Sequence, residues 1–156
     1  MSFGFMGCDP TYVWPEEQRK GESLPPELGT RAQAGDNVYV LVKAGQNLGA
    51  NEVVAMDAGD FEVNNDGVGN GAATIFCVTP LAVASGTTFW GLIEGRGVPV
   101  RVAGADRGDG PFIVNNAGQI ANGGSSTNNK ISGIVVRQAN GNTRLCDVWN
   151  PQAIGR

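Results

Sequence analysis

From Asp36 onward the chain is a series of short apolar runs cut by Gly, Asn and Asp. The runs are NVYVLVK (37–43), EVVAMD (52–57), ATIFCVT (73–79), FWGLIE (89–94), VPVRVA (98–103), ISGIVVRQ (131–138) and RLCDVW (144–149). Each is six to eight residues long and rich in Val, Ile and aromatics, which is the length and composition of strands rather than helices. In VPVRVA the alternation sets Val98, Val100 and Val102 on one face. The 24 glycines in 156 residues argue the same way, because Gly costs about 1 kcal/mol per site inside a helix. The expected fold is therefore all-β. Gly95-Arg96-Gly97 reads as a tight turn between FWGLIE and VPVRVA, and ANGNT (139–143) as a hairpin loop. GQIANGGSSTNN (118–129) reads as a mobile loop. Gly59 to Gly67 and Gly110 to Gly118 share the pattern GxFxVNNxG, each a short strand with Phe and Val on one face, ending in a turn.

The chain changes character near Gly35. Residues 1–34 carry Phe3, Phe5, Tyr12 and Trp14, then an acidic–basic patch, then Pro25–Pro26. This stretch reads as an arm, with 35–156 the β-rich domain. Such an arm has no second layer against which to bury its aromatics, so it must lie on its own domain or on a neighbour.

The absence of histidine from the sequence removes Ser-His-Asp and Cys-His nucleophile pairs, His-based metal sites and the usual general base at neutral pH. Carboxylate chemistry would need a cleft holding Asp57, Asp60 or Glu62, or Asp106 and Asp109. Each of these acids flanks a turn or a polar strand face, where Asp is at home. Residues 57–66 are rich in oxygen donors but lack the spacing of a calcium-binding EF-hand loop. Gly67-Val68-Gly69-Asn70-Gly71 precedes a strand-like run, so no helix N-terminus is offered to a phosphate. Arg107-Gly108-Asp109 reads as a chance tripeptide in a Gly/Asp-rich turn. Cys8, Cys77 and Cys146 are odd in number and far apart; they read as reduced thiols, with a Cys77–Cys146 bridge left open. No cofactor and no metal is expected, and the chain is expected not to be an enzyme.

With net charge −4 and a pI near 4.7, the chain lacks the basic stripe that nucleic acid requires. No apolar run nears the ~20 residues of a membrane span, so neither nucleic acid nor membrane is expected as a partner. The opening MSFGFMGCDP has no basic and long apolar stretches of a signal peptide, and the protein is expected to stay where it is made.

Three passages carry a resemblance. AGDNVYVLVKAGQNLGANEVVAMDAG, SGTTFWGLIEGRGVPVRV and GPFIVNNAGQIA resemble the hairpin, Gly-turn-strand and Asn-Ala-Gly-x-Ile pieces of the capsid decoration (cement) proteins of tailed bacteriophages. The resemblance implies a small β-barrel or β-tulip-like domain and a homo-oligomer, a trimer before a dimer. It also implies the major capsid protein as partner and a place on the outer capsid surface of the virion, after synthesis in the host cytoplasm. A clamp of this kind needs apolar anchors rather than a titratable group. Phe3, Phe5, Tyr12, Trp14 and Trp149 are the expected interface residues, while Trp90, inside a strand-like run, is expected in the core. A tail or head–tail joining protein is an alternative virion role. A carbohydrate-binding module is an alternative of another class, and it requires Trp90 or Trp149 to be exposed.

Overall fold

The structure is a computed structural model that describes residues 6–17, 23–57, 59–65, 75–103, 112–115, 117–122, 130–140 and 143–154. The described residues contain strands and no helix. The leading segment supplies β1 (Met6–Gly7), β2 (Val13–Trp14) and β3 (Arg31–Ala34). The middle supplies β4 (Asn37–Ala44), β5 (Val53–Met56), β6 (Glu62–Asn64), β7 (Ile75–Val78) and β8 (Thr88–Arg101). The last third supplies β9 (Phe112–Val114), β10 (Ile120–Asn122), β11 (Lys130–Asn140) and β12 (Thr143–Ile154).

All twelve belong to one sheet. Strands β4, β6, β5, β7 and β8 follow one another and β8 pairs back onto β4, so these five form a ring. The domain is thus all-β and barrel-like, although the wider sheet does not close into a true barrel. Beyond the ring the sheet continues from β8 through β12, β11 and β9 to β10.

The two-residue period of these strands divides the core into two clusters. Val40, Val42, Val54, Met56, Val63, Cys77, Phe89 and Ile93 meet in one. Tyr39, Leu41, Val53, Phe76, Val78, Trp90 and Leu92, from alternate positions of the same strands, meet residues of β9–β12 in the other. Val98, Val100 and Val102 share that second cluster, as their alternation predicts. Each fully buried Val, Leu, Ile or Phe contributes roughly 1.5–3 kcal/mol. Cys77 and Cys146 are free thiols in different clusters. Burial pushes both up to about 12; at Cys146 the neighbouring Asp147 adds to the rise and Arg144 opposes it.

Four sequence expectations need correction. First, Gly95-Arg96-Gly97 is not a turn: β8 runs unbroken from Thr88 to Arg101. Opposite Cys146–Val148, β8 fits Gly95–Val98, one residue more. The extra residue makes a bulge in which Gly97 takes φ 62, a value that costs Gly nothing and other residues a clash. Second, residues 31–34, assigned to the arm, form β3 and pair with β4 in a tight hairpin around Gly35–Asp36. Third, the loop expected over 118–129 contains β10, whose Ile120 is fully buried. Fourth, the two GxFxVNNxG passages differ in structure. Phe112 is buried within β9, whereas Phe61 precedes β6 at φ 57 and is half-buried. The β11–β12 hairpin agrees with its prediction.

Candidate functional site

The two exposed aromatic residues that the sequence singled out lie on separate surfaces. The first is built from the leading segment. Asp9 Oδ1 accepts hydrogen bonds from the Thr11 N–H at 2.9 Å and the Thr11 hydroxyl at 2.6 Å, and the Asp9 carbonyl accepts from the Tyr12 N–H at 3.1 Å. The bonds from the Thr11 hydroxyl and amide hold the Asp9 carboxyl below its usual range, against a small opposing effect of burial. This turn delivers the chain into β2, where Val13 pairs with Phe89 and Trp14 with Thr88. Tyr12 stands edge-on to Trp14 at 4.8 Å, and Trp14 edge-on to Trp90 at 6.1 Å, separations at which such pairs attract. Trp90 is 3% and Trp14 9% exposed, while Tyr12 is 46% exposed. With Cys8 and Pro26 these rings line an apolar groove of about 220 Å3. Burial, then the charge of Asp9, raises the Cys8 thiol, so it stays protonated.

The second surface is built on the bulge in β8. Asp147 closes the bulge: its Oδ1 accepts the Gly97 N–H at 3.1 Å and its Oδ2 the Arg137 Nε–H at 2.7 Å. Burial pushes the Asp147 carboxyl up. The hydrogen bonds from Arg137 and Gly97, with the charges of Arg137 and Arg96, outweigh that push and leave it below its usual value. Next along β12, Trp149 pairs with Glu94 and is 43% exposed, although Val148 beside it is fully buried. The Asn150 amide donates to the Glu94 carboxylate. Asp36, from the β3–β4 turn, completes a cleft of about 270 Å3 with Glu94, Gly95, Arg96 and Trp149. Gly95 has no room for a side chain, since a Cβ there would stand 2.6 Å from Asn37 Oδ1 and 2.9 Å from Val98 Cγ2.

Of the acids weighed for catalysis or calcium, Asp57 and Asp60 serve as turn supports, and Glu62 opens β6. Asp57 accepts the Gly59 N–H at 2.7 Å and Asp60 the Glu62 N–H at 2.9 Å. Among the described residues no group of three or more acids and thiols is placed to hold a metal ion. A buried carboxylate that the sequence did not flag is Glu52, 5% exposed. Its two oxygens meet Arg101 Nη1 at 2.7 Å and Asn65 Nδ2 at 3.1 Å, and its N–H donates to Thr79 Oγ1 at 2.9 Å. The Thr79 hydroxyl in turn donates to the Gly49 carbonyl at 2.6 Å. The knot ties the 46–52 loop to β8 and to the 115–119 turn, whose Gly118 packs against the Glu52 side chain. A single Glu at the edge of an apolar run carried no signal of this role.

Of the expected interface residues, Tyr12 and Trp149 are exposed, and with Leu24 they are the exposed large hydrophobics among the described residues. Trp14 was expected to face a partner; it belongs instead to the core of its own chain, because β2 pairing turns its ring onto Trp90. Phe3 and Phe5 lie outside the described residues, as do Asp106, Asp109 and the Arg107-Gly108-Asp109 tripeptide. Trp90, expected in the core, is there. No protein-family model matches the chain, and no curated protein matches its sequence.

Proposed function

We propose that this protein is a non-enzymatic capsid decoration protein of a tailed phage, binding the outer surface of the shell and clamping neighbouring copies of the major capsid protein. One observation carries the reading: Tyr12 stands 46% exposed over the buried Trp14–Trp90 pair, at the mouth of an apolar groove. An aromatic anchor on a rigid base is what a protein–protein hot spot uses. The sequence ahead of β1 carries two more aromatic residues, Phe3 and Phe5.

The rest of the molecule is consistent with a scaffold. Its buried carboxylates are held by arginines, and its buried thiols are protonated. A clamp on a repeating shell gains by multivalency what a single small contact lacks. In this reading the protein acts as a homo-oligomer, a trimer before a dimer, and the virion surface is its place.

Co-sedimentation of the full chain with purified, expanded tailed-phage capsids tests the proposal. Pelleting with assembled shells, but no complex with isolated capsid subunits, is the expected result. A chain that stays in the supernatant ends the reading. Tyr12→Ala, or removal of residues 1–5, should weaken pelleting by about tenfold or more if the groove is the anchor.

A further inference from the structure

We propose that the cleft around Trp149 is a saccharide-binding site selective for neutral or amino sugars. The proposal is independent of the decoration reading and uses a different surface. From Trp90 to Glu94, β8 advances four residues, about 13 Å at ~3.3 Å per residue.

An aromatic ring that serves as a protein–protein anchor sits mostly among apolar side chains that exclude water, as Tyr12 does beside Trp14, Trp90 and Pro26, with Asp9 the one charged residue of that lining. Trp149 has the opposite setting: Asp36, Glu94 and Arg96 line its cleft. A flat apolar face beside a rim of carboxylates and a guanidinium matches a pyranose. The sugar presents a patch of C–H bonds on one face, and vicinal hydroxyls around its edge. The C–H patch stacks on the indole; the hydroxyls donate to the carboxylates and accept from Arg96.

The groups are also held in place before any ligand arrives. Glu94 and Trp149 face each other across paired strands, not on a loop. Glu94 receives the Asn150 amide. Arg96 is carried by the bulge that Asp147 closes through Gly97. Asp36 is set by a two-residue hairpin turn between β3 and β4. Such preorganisation lowers the ordering cost of binding. The volume of about 270 Å3 lies just under the ~300–1,000 Å3 of drug-sized sites, which suits one or two sugar rings. Two carboxylates and one guanidinium leave the rim with one net negative charge, and that disfavours uronic and sialic acids.

The test uses the full chain on a printed array of neutral, amino and acidic oligosaccharides, followed by calorimetric titration of the strongest binder. Retention of neutral or amino glycans is expected. Trp149→Ala should weaken the titrated binding by about tenfold or more, while Trp149→Phe keeps most of it. Asp36→Asn and Glu94→Gln should each weaken it severalfold. Trp149→Ala should melt at the temperature of the parent, which separates lost binding from lost folding. The proposal is overturned if no glycan is retained above background, if acidic glycans are preferred, or if Trp149→Ala binds as the parent does. It is also overturned if that variant changes only the molecular mass in solution, which would make the cleft a contact between copies.

Discussion

Trp14 and Trp149 both pair through their backbones with β8, Trp14 opposite Thr88 and Trp149 opposite Glu94. One is 9% and the other 43% exposed. Trp14 meets the face of β8 that carries Trp90 and packs its ring there. Trp149 follows Val148, which faces the core, so the alternation of β12 sends the indole the other way. The same side chain is thus packed in the core in one place and left at the surface in the other. Strand parity and the chemistry across the strand decide which.

The comparison fails first if the leading segment proves dispensable. Deleting residues 1–34 removes β1–β3, Trp14 and the fully buried Ala32. The truncated chain should show no cooperative thermal transition, and a normal melt would return the segment to the status of a free arm. Trp14→Ala should cost about 3–5 kcal/mol in denaturant unfolding, as truncation of a buried aromatic does. The Trp14 indole N–H is buried with no partner among the described residues, so the loss should come from packing alone.

Glu52→Ala should cost about 1–3 kcal/mol, because Arg101 and Asn65 lose the carboxylate that they bond to. The unfolding midpoint in urea reads this. A smaller effect is expected from pH. Asp147 titrates below its ordinary 3.8 in the folded chain, so the unfolded chain takes up the proton first as acid is added. The stabilisation is present above that ordinary value and fades as pH falls through the folded value. Melting curves from pH 6 downward should therefore lose less stability in Asp147→Asn than in the parent, and equal acid sensitivity would count against the Arg137–Asp147–Gly97 clamp. Smallest of all, Trp149→Ala should change the unfolding free energy by no more than about 0.5 kcal/mol. A large loss there would mean that the indole holds the fold after all.

Much of the architecture was legible because short Val- and Ile-rich runs pair only as strands. The reading failed where glycine has two meanings. Gly95 and Gly97 look like a turn in sequence, yet they admit a bulge in a strand that pairs with β12 on both sides of it, through Glu94–Gly95 and Val98–Arg101. It failed again at Arg31–Ala34, whose sequence RAQA has no strand signature until Gly35–Asp36 folds it onto β4. The candidate sites divide similarly. Tyr12 and Trp149 stood out as large aromatics outside the central runs. The residues that give the Trp149 cleft its chemistry did not, since Asp36, Glu94 and Arg96 come from a turn, a strand and a bulge that only the fold brings together. Trp14 shows the limit of composition: its neighbours in the chain mark an arm, but its partner Trp90 is far along the sequence.

The length of β8 has a mechanical consequence. It runs fourteen residues and is bonded on its flanks by β4 and β12, with β2 and β7 adding shorter pairings. A force along its axis would load those inter-strand bonds together, in shear, instead of peeling them one at a time. A pull on the Tyr12 end would therefore reach the Trp149 end as tension in a stiff rod, and the two surfaces should stay in fixed register under strain.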